Sequence, residues 1–192
     1  MTHWADQMTW LNPPPSAIRQ GQALAVTTGE NTDFWRGTFY GFYHDNGHFL
    51  FRRASGDFTA ELTFSGDYRA LYDQAGLMVR ADADHWVKAG IEFTDGSAHF
   101  SVVVTNGLSD WSQQALPRLD GPLTIRLTRH GEAIRVQYRD AGGRWIAARL
   151  AHFPPAPTLE IGPMCCSPTR GGFGARFERF DLGAPISRDL HG

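Results

Sequence analysis

Six residues between Leu71 and Phe93 are of types that recognise polar ligands, and they recur at a spacing that sets them side by side. Gln74, Met78, Arg80, Trp86, Lys88 and Glu92 lie in two extended runs, QAGLMVRA and WVKAGIEF, joined by the polar turn Asp82 to His85. Side chains alternate across a strand, so the six share one face. Leu77, Val79, Val87, Ala89, Ile91 and Phe93 share the other, an ordinary core face. The first face mixes an indole, two cations, a carboxylate and an amide. Hydroxyl groups pair with charged and amide side chains, and the C–H faces of a sugar ring stack on aromatic rings. The mixture therefore predicts a site for a polyhydroxy ligand, with Trp86 stacking, Arg80 and Lys88 donating and Glu92 accepting. The competing reading is an exposed cross-strand ladder of Arg, Lys and Glu, contributing only tenths of a kcal/mol.

Two further clusters stand near polar loops. In Asp33-Phe34-Trp35-Arg36, Trp35 is expected at one end of the same sheet, with Tyr40 following in register with Phe42; the alternative is that Phe34 and Trp35 cap the core. In Ser109-Asp110-Trp111-Ser112, Trp111 either plugs the core or presents a stacking surface. Asp45-Asn46-Gly47 reads as a hairpin turn, with His48 beside it a weaker ligand candidate.

Catalytic chemistry finds thin support. Retaining glycosidases need two carboxyls roughly 5–5.5 Å apart, and Glu92 has Gly90 and Thr94 two positions away rather than a second acid. Glu92 is the best candidate for a general base, but flanking cations should lower its pKa and weaken it in that role. The chain thus leans away from an enzyme. Asp82-Ala83-Asp84 reads as a turn rather than a calcium loop, the 8 histidines show no ligand spacing, and Gly171-Gly172 lacks the lysine and helix of a phosphate loop. No metal and no cofactor is expected. Cys165 and Cys166 are adjacent, which suits two reduced thiols better than a disulfide; one of them is expected on the site face.

The elements that must hold these residues are strands. Turn signals such as Asp95-Gly96, Asn106-Gly107, His130-Gly131 and Gly142-Gly143 separate about a dozen short alternating runs, the pattern of a β-sandwich or barrel. Phe58, Ala60, Leu62 and Phe64 alternate with Asp57, Thr59, Glu61 and Thr63; Leu123, Ile125 and Leu127 alternate with Thr124, Arg126 and Thr128. Strands with one apolar side are buried economically by two antiparallel sheets packed face to face. Helix is expected at most as single turns, in 67–73 and 111–120. Pro13 to Pro15 are expected to lead into the first strand.

The bulk figures agree. The 192 residues suffice for one domain with a sizeable core, spanning 1–192, with the fold from about 10 to 182 and a frayed tail over 184–192. The formal net charge of −2 supplies no field for nucleic acid or an anionic membrane. The N-terminus lacks a signal-peptide pattern, and no run approaches the ~18 apolar residues of a membrane span, so the cytoplasm is the expected location.

Four separated segments, in order, resemble one family: TDFWRGTFYGFYHDNGHFLF (Thr32 to Phe51), LYDQAGLMVRADADHWVKAGIEF (Leu71 to Phe93), VVVTNGLSDWS (Val102 to Ser112) and IGPMCCSP (Ile161 to Pro168). It is a bacterial and fungal family of concanavalin-A-like domains of unknown function, sometimes called regulation-of-enolase proteins, and the resemblance runs from about Trp10 to Leu182. It implies an all-β jelly-roll sandwich of the lectin and glucanase type, often sugar-binding on its concave sheet. Three functions follow as expectations. One is carbohydrate binding through Trp35, Gln74, Arg80, Trp86, Lys88 and Glu92. The second is an enzyme on small sugars or sugar phosphates with Glu92 as base. The third is a regulatory domain that binds a protein partner, with homodimers admitted through an open sheet edge.

Overall fold

The computed structural model describes residues 2–116 and 119–190. In chain order its strands are β1 (Thr9–Leu11), β2 (Ser16–Gln20), β3 (Ala23–Thr27), β4 (Phe34–Arg36), β5 (Tyr43–Asp45), β6 (His48–Ser55), β7 (Phe58–Gly66), β8 (Gln74–Arg80), β9 (His85–Thr94), β10 (Ser97–Asn106), β11 (Leu108–Ala115), β12 (Leu123–His130), β13 (Ala133–Arg139), β14 (Trp145–His152), β15 (Thr158–Cys166) and β16 (Gly174–Gly183). They build two seven-stranded antiparallel sheets and a small ribbon. The front sheet has the order β1-β6-β15-β8-β9-β10-β11, and the back sheet β14-β13-β12-β7-β16-β3-β2; β4 and β5 pair only with each other. This is the two-sheet antiparallel sandwich that the alternation predicts, in the jelly-roll form that the family resemblance implies.

Leu77, Val79, Val87, Ala89 and Ile91 of the front sheet meet Leu62, Phe64, Ile125, Leu127 and Phe177 of the back sheet in one continuous core. Burying each large apolar side chain contributes about 1.5–3 kcal/mol, which makes this interface the main stabilising term. A second, smaller cluster lies on the opposite side of the front sheet. There Phe34 of the ribbon packs with Phe49, Met78, Trp86, Val103, Met164 and Cys166. The middle of the front sheet is therefore covered on both faces, and every residue of β8 is buried.

Local chemistry fixes the ribbon against the sheet. Asn46 Nδ2 donates to Asn31 O at 2.8 Å, and Asn46 Oδ1 accepts from Asp33 N at 2.9 Å. Asn12 Nδ2 donates to the carbonyls of Asp45 and Gly47. A Cβ at Gly47 would overlap both the Phe34 ring and Cys166 Sγ, so only glycine lets the ribbon seat this closely.

Several details depart from the sequence reading. Asp45-Asn46-Gly47 is not a hairpin turn, since β5 pairs with β4 and β6 with β1 and β15; it carries the chain from the ribbon into the front sheet. Residues 67–73 hold no helical turn, and 111–115 belong to β11; residues 117 and 118, within the other segment expected to turn, lie outside the described residues. A short 3-10 turn at Trp4–Gln7, capped by His3, has no counterpart in that reading. The first strand precedes Pro13 to Pro15, which instead lead from the edge of one sheet to the edge of the other. In the segment after Gly183, Ile186 N donates to Thr59 Oγ1, and the Arg135 guanidinium donates to the carbonyls of Asp189 and Leu190.

Candidate ligand-binding cavity

The outer face of the front sheet carries a cavity of about 450 Å³. Its polar floor comes from neighbouring strands. Gln74 opens β8 and lies directly across from Glu92 on β9, while Lys88 stands two pleat repeats along, opposite Met78. Lys88 Nζ donates to Gln74 Oε1 at 2.7 Å and to Asp33 Oδ1 at 3.1 Å. Gln74 Nε2 in turn donates to Tyr72 O at 3.2 Å. Glu92 Oε2 accepts from Ser101 Oγ of β10 at 2.7 Å, and Ser101 Oγ accepts from the indole N–H of Trp111 at 3.0 Å. Two networks result: one joins Asp33 beside the ribbon to Lys88 and Gln74 on β9 and β8, and the other runs from Glu92 through Ser101 of β10 to Trp111 of β11.

Between these groups the floor is bare backbone. Gly76 and Gly90 face each other across β8 and β9. A Cβ on Gly76 would overlap Ala89 O, and one on Gly90 would overlap Ala75 O. The two strands approach so closely on this face that only glycine fits at either position.

The walls are aromatic. Trp35, Tyr40, Phe42 and His44 come from the ribbon and its connecting loop, Tyr72 from the lead-in to β8, and Trp111 from β11. Tyr40 stacks on Phe42 with centroids 5.2 Å apart and meets Trp35 edge-on at 6.1 Å. The Trp35 indole N–H donates to Thr38 O, which holds the loop's shape. A second, shallower depression adjoins the first and shares Trp35, Tyr40 and Trp111 with it.

Burial sets the protonation of the floor. It pushes the Glu92 carboxyl up, and the nearby Lys88 charge only partly offsets this. The expectation that flanking cations would lower Glu92 is therefore reversed: Arg80 is not beside it, and desolvation outweighs the one cation that is. For Lys88, burial acts to lower the pKa, but the charges of Asp33 and Glu92 prevail and hold the ammonium above its usual value. Tyr72 is pushed up to about 12, chiefly by its hydrogen bond with the Tyr40 hydroxyl.

Of the six residues singled out in the sequence, Trp35, Gln74, Lys88 and Glu92 come together around this cavity. Arg80 and Trp86 do not line it. Trp86 is fully buried, with its ring against Phe34 and its N–H donating to Ala83 O at 3.2 Å. Its stacking surface is taken by protein, because Phe34 on the ribbon packs over it. Arg80 sits beyond Trp86 and donates to Asp45 Oδ2 at 2.9 Å. His48 is a bracket rather than a ligand contact: Nδ1 bonds Asn12 O at 2.7 Å and Nε2 accepts from Gly29 N at 3.0 Å. Cys166 is on the cavity side of β15 but buried, and burial pushes its thiol well above the usual range. Trp111 does not plug the core, being 37 % exposed on the cavity wall. Asp33 is the floor's key addition; the motif DFWR marked its position but not its pairing with Lys88. Tyr72 and His44 were missed, and only the aromatic richness of GTFYGFY hinted at the wall that His44 extends. Among the described residues no group of three or more acidic, histidine or cysteine side chains is arranged to hold a metal.

Comparison with known proteins places this geometry. A family model described as a protein of unknown function (DUF1349) matches residues 10–185. The "Regulation of enolase protein 1" of Saccharomyces cerevisiae is 44% identical over 185 residues, covering 96% of this chain and 93% of that protein. A crystal structure of a functionally unknown Saccharomyces cerevisiae protein, also 44% identical, superposes with a TM-score of 0.91 over 97% of this chain and 100% of that one. More distant structures share the fold alone. The GH43 protein BlXynB of Bacillus licheniformis has a TM-score of 0.72 at 16% identity, covering 93% of this chain and 37% of that one. A legume lectin-like domain from Entamoeba histolytica has a TM-score of 0.62 at 10% identity, covering 93% and 90%.

Proposed function

This chain belongs to the DUF1349 family, and from that footing we propose that it binds a small saccharide in the cavity on the outer face of its front sheet. The observation that carries the reading is the pairing of the aromatic wall with the hydrogen-bonded floor of Asp33, Gln74, Lys88 and Glu92 in one cavity. A sugar has two kinds of surface. Its C–H faces lose water favourably against Trp111, Trp35 and Tyr40, while its hydroxyls exchange water for charged partners that are already fixed in place. Fixed partners lower the ordering cost of binding. The lectin-like neighbour supports the reading at the level of fold, which hosts many functions.

The test is calorimetric titration with a panel of mono- and disaccharides, repeated on Trp111→Ala. Loss of the indole is expected to weaken binding about 10- to 100-fold, the range of an aromatic anchor. A panel in which no saccharide binds would remove the proposal.

Glu92 supports a second reading. A carboxyl raised by burial and facing a ligand cavity is suited to proton transfer. If a bound sugar is turned over, Glu92→Gln should keep its affinity and lose its turnover; equal turnover in both proteins dismisses Glu92 as the base. The name of the yeast relative supports a third, a regulatory contact with another protein, for which Phe39, 92 % exposed at the loop tip, supplies an apolar contact point. A partner recovered by the wild type but not by Phe39→Ser would favour it.

A further inference from the structure

The charges around the cavity speak to the class of sugar, an inference that rests on the saccharide reading. Lys88 is the only lysine or arginine on its lining among the described residues, and it is already committed to Gln74 Oε1 and Asp33 Oδ1. The neighbouring cations are committed as well, and point elsewhere. Arg36 pairs with Asp84 at 2.7 Å, Arg80 with Asp45 at 2.9 Å and Arg170 with Asp73 at 2.7 Å. The unspent capacity is of the opposite kind. Asp33 Oδ1 accepts from Phe34 N, Lys88 and Gln74 Nε2, whereas Asp33 Oδ2 has no hydrogen bond to a described residue. Glu92 uses Oε2 on Ser101, and Oε1 has none. A floor with two spare carboxylate oxygens asks for hydrogen-bond donors. The aromatic wall reinforces the preference, because ring faces attract cations and repel anions.

We propose that the cavity takes an uncharged or amine-bearing sugar and rejects phosphorylated and acidic ones. A phosphate brings about −1.5 to −2 charges at pH 7. It would lose its water against Asp33 and Glu92, with no uncommitted lysine or arginine on the lining among the described residues to receive it. An amine or hydroxyl would find both spare oxygens within the floor. The same argument makes Asp33 a specificity determinant: it holds Lys88's charge in the protein's own ion pair and keeps it from a ligand.

The experiment compares aldohexoses, their 2-amino-2-deoxy analogues and their 6-phosphates, on wild type and on Asp33→Asn, with the melting profile confirming that the variant is folded. Asparagine keeps an oxygen for Phe34 N and removes the charge. Wild type is expected to bind the neutral or amino sugar at least 10-fold more tightly than its phosphate, and Asp33→Asn to narrow that ratio. A phosphate bound as tightly as its parent sugar overturns the selectivity and leaves the saccharide reading standing. If no sugar binds, that reading falls, and ethylammonium chloride against sodium phosphate, followed by the indole N–H resonances of Trp35 and Trp111, still decides the charge preference. A shift with phosphate, or with neither salt, overturns it; a shift with ethylammonium alone supports it.

Discussion

Lys88 shows how much one buried side chain can hold in place. Its ammonium ties the ribbon to the sheet through Asp33 and fixes the Gln74 amide. Lys88→Met would keep the stem's packing and leave Asp33 and Gln74 without their donor. Removing one partner of a buried ion pair typically costs about 3–5 kcal/mol. Because Asp33 keeps some exposure, a loss near ~3 kcal/mol is expected in urea denaturation. Glu92 gives a prediction in pH. Its folded-state pKa is raised, so the folded protein retains this proton when the unfolded chain has lost it. Stability then falls as pH rises from the ordinary carboxylate pKa through the raised one. Glu92→Gln removes that loss, so its melting temperature relative to wild type should climb across that window and level off above it. A flat difference would show that Glu92 titrates normally. Trp86 and Trp111 separate core from wall. Trp86→Ala should cost about 3–5 kcal/mol of stability, as deletion of a buried aromatic does, whereas Trp111→Ala should melt near wild type and fail in binding.

At the scale of elements, the β8–β9 pair depends on Gly76 and Gly90. Gly90→Ala puts a methyl group against the Ala75 carbonyl, which as backbone cannot rotate away. A loss at the upper end of overpacking, about 3 kcal/mol, is expected, read as a lower urea midpoint; an alanine variant of normal stability would show that the strands can part. The same pair shows what was legible in the sequence. Alternation along the two runs from Gln74 to Glu92 separates the sandwich face from the outer face, and the structure keeps that separation. What alternation cannot tell is which polar-face residues stay open. That is decided by the ribbon, Phe34 to Asp45, which lies far off in sequence. It covers Met78 and Trp86 and leaves Gln74, Lys88 and Glu92 at the cavity. Trp86 looked like a platform because its parity was right; a tertiary contact with Phe34 made it core. Tyr72 was equally out of reach, since its position depends on a backbone angle of φ 65 in an irregular lead-in.

At the scale of the whole molecule, strand order makes both sheets depend on the C-terminal strands. β15 lies between β6 and β8, and β16 between β7 and β3. Each sheet is therefore a pair of incomplete halves until a strand from the C-terminal quarter fills it. Met164 and Cys166 of β15 also back the cluster beneath the ribbon, so the cavity wall lacks part of its support before then. During synthesis, a nascent chain that has emerged only to Pro157 would display unpaired strand edges on both sides of two gaps, the kind of surface that chaperones shield. Completion must wait until β15 and β16 have left the ribosome, and closure of such long-range pairings is slow, on the order of milliseconds to seconds. Adding a synthetic peptide spanning 158–183 to a chain ending at Pro157 should restore the native fold, if arrival of those two strands is the last step.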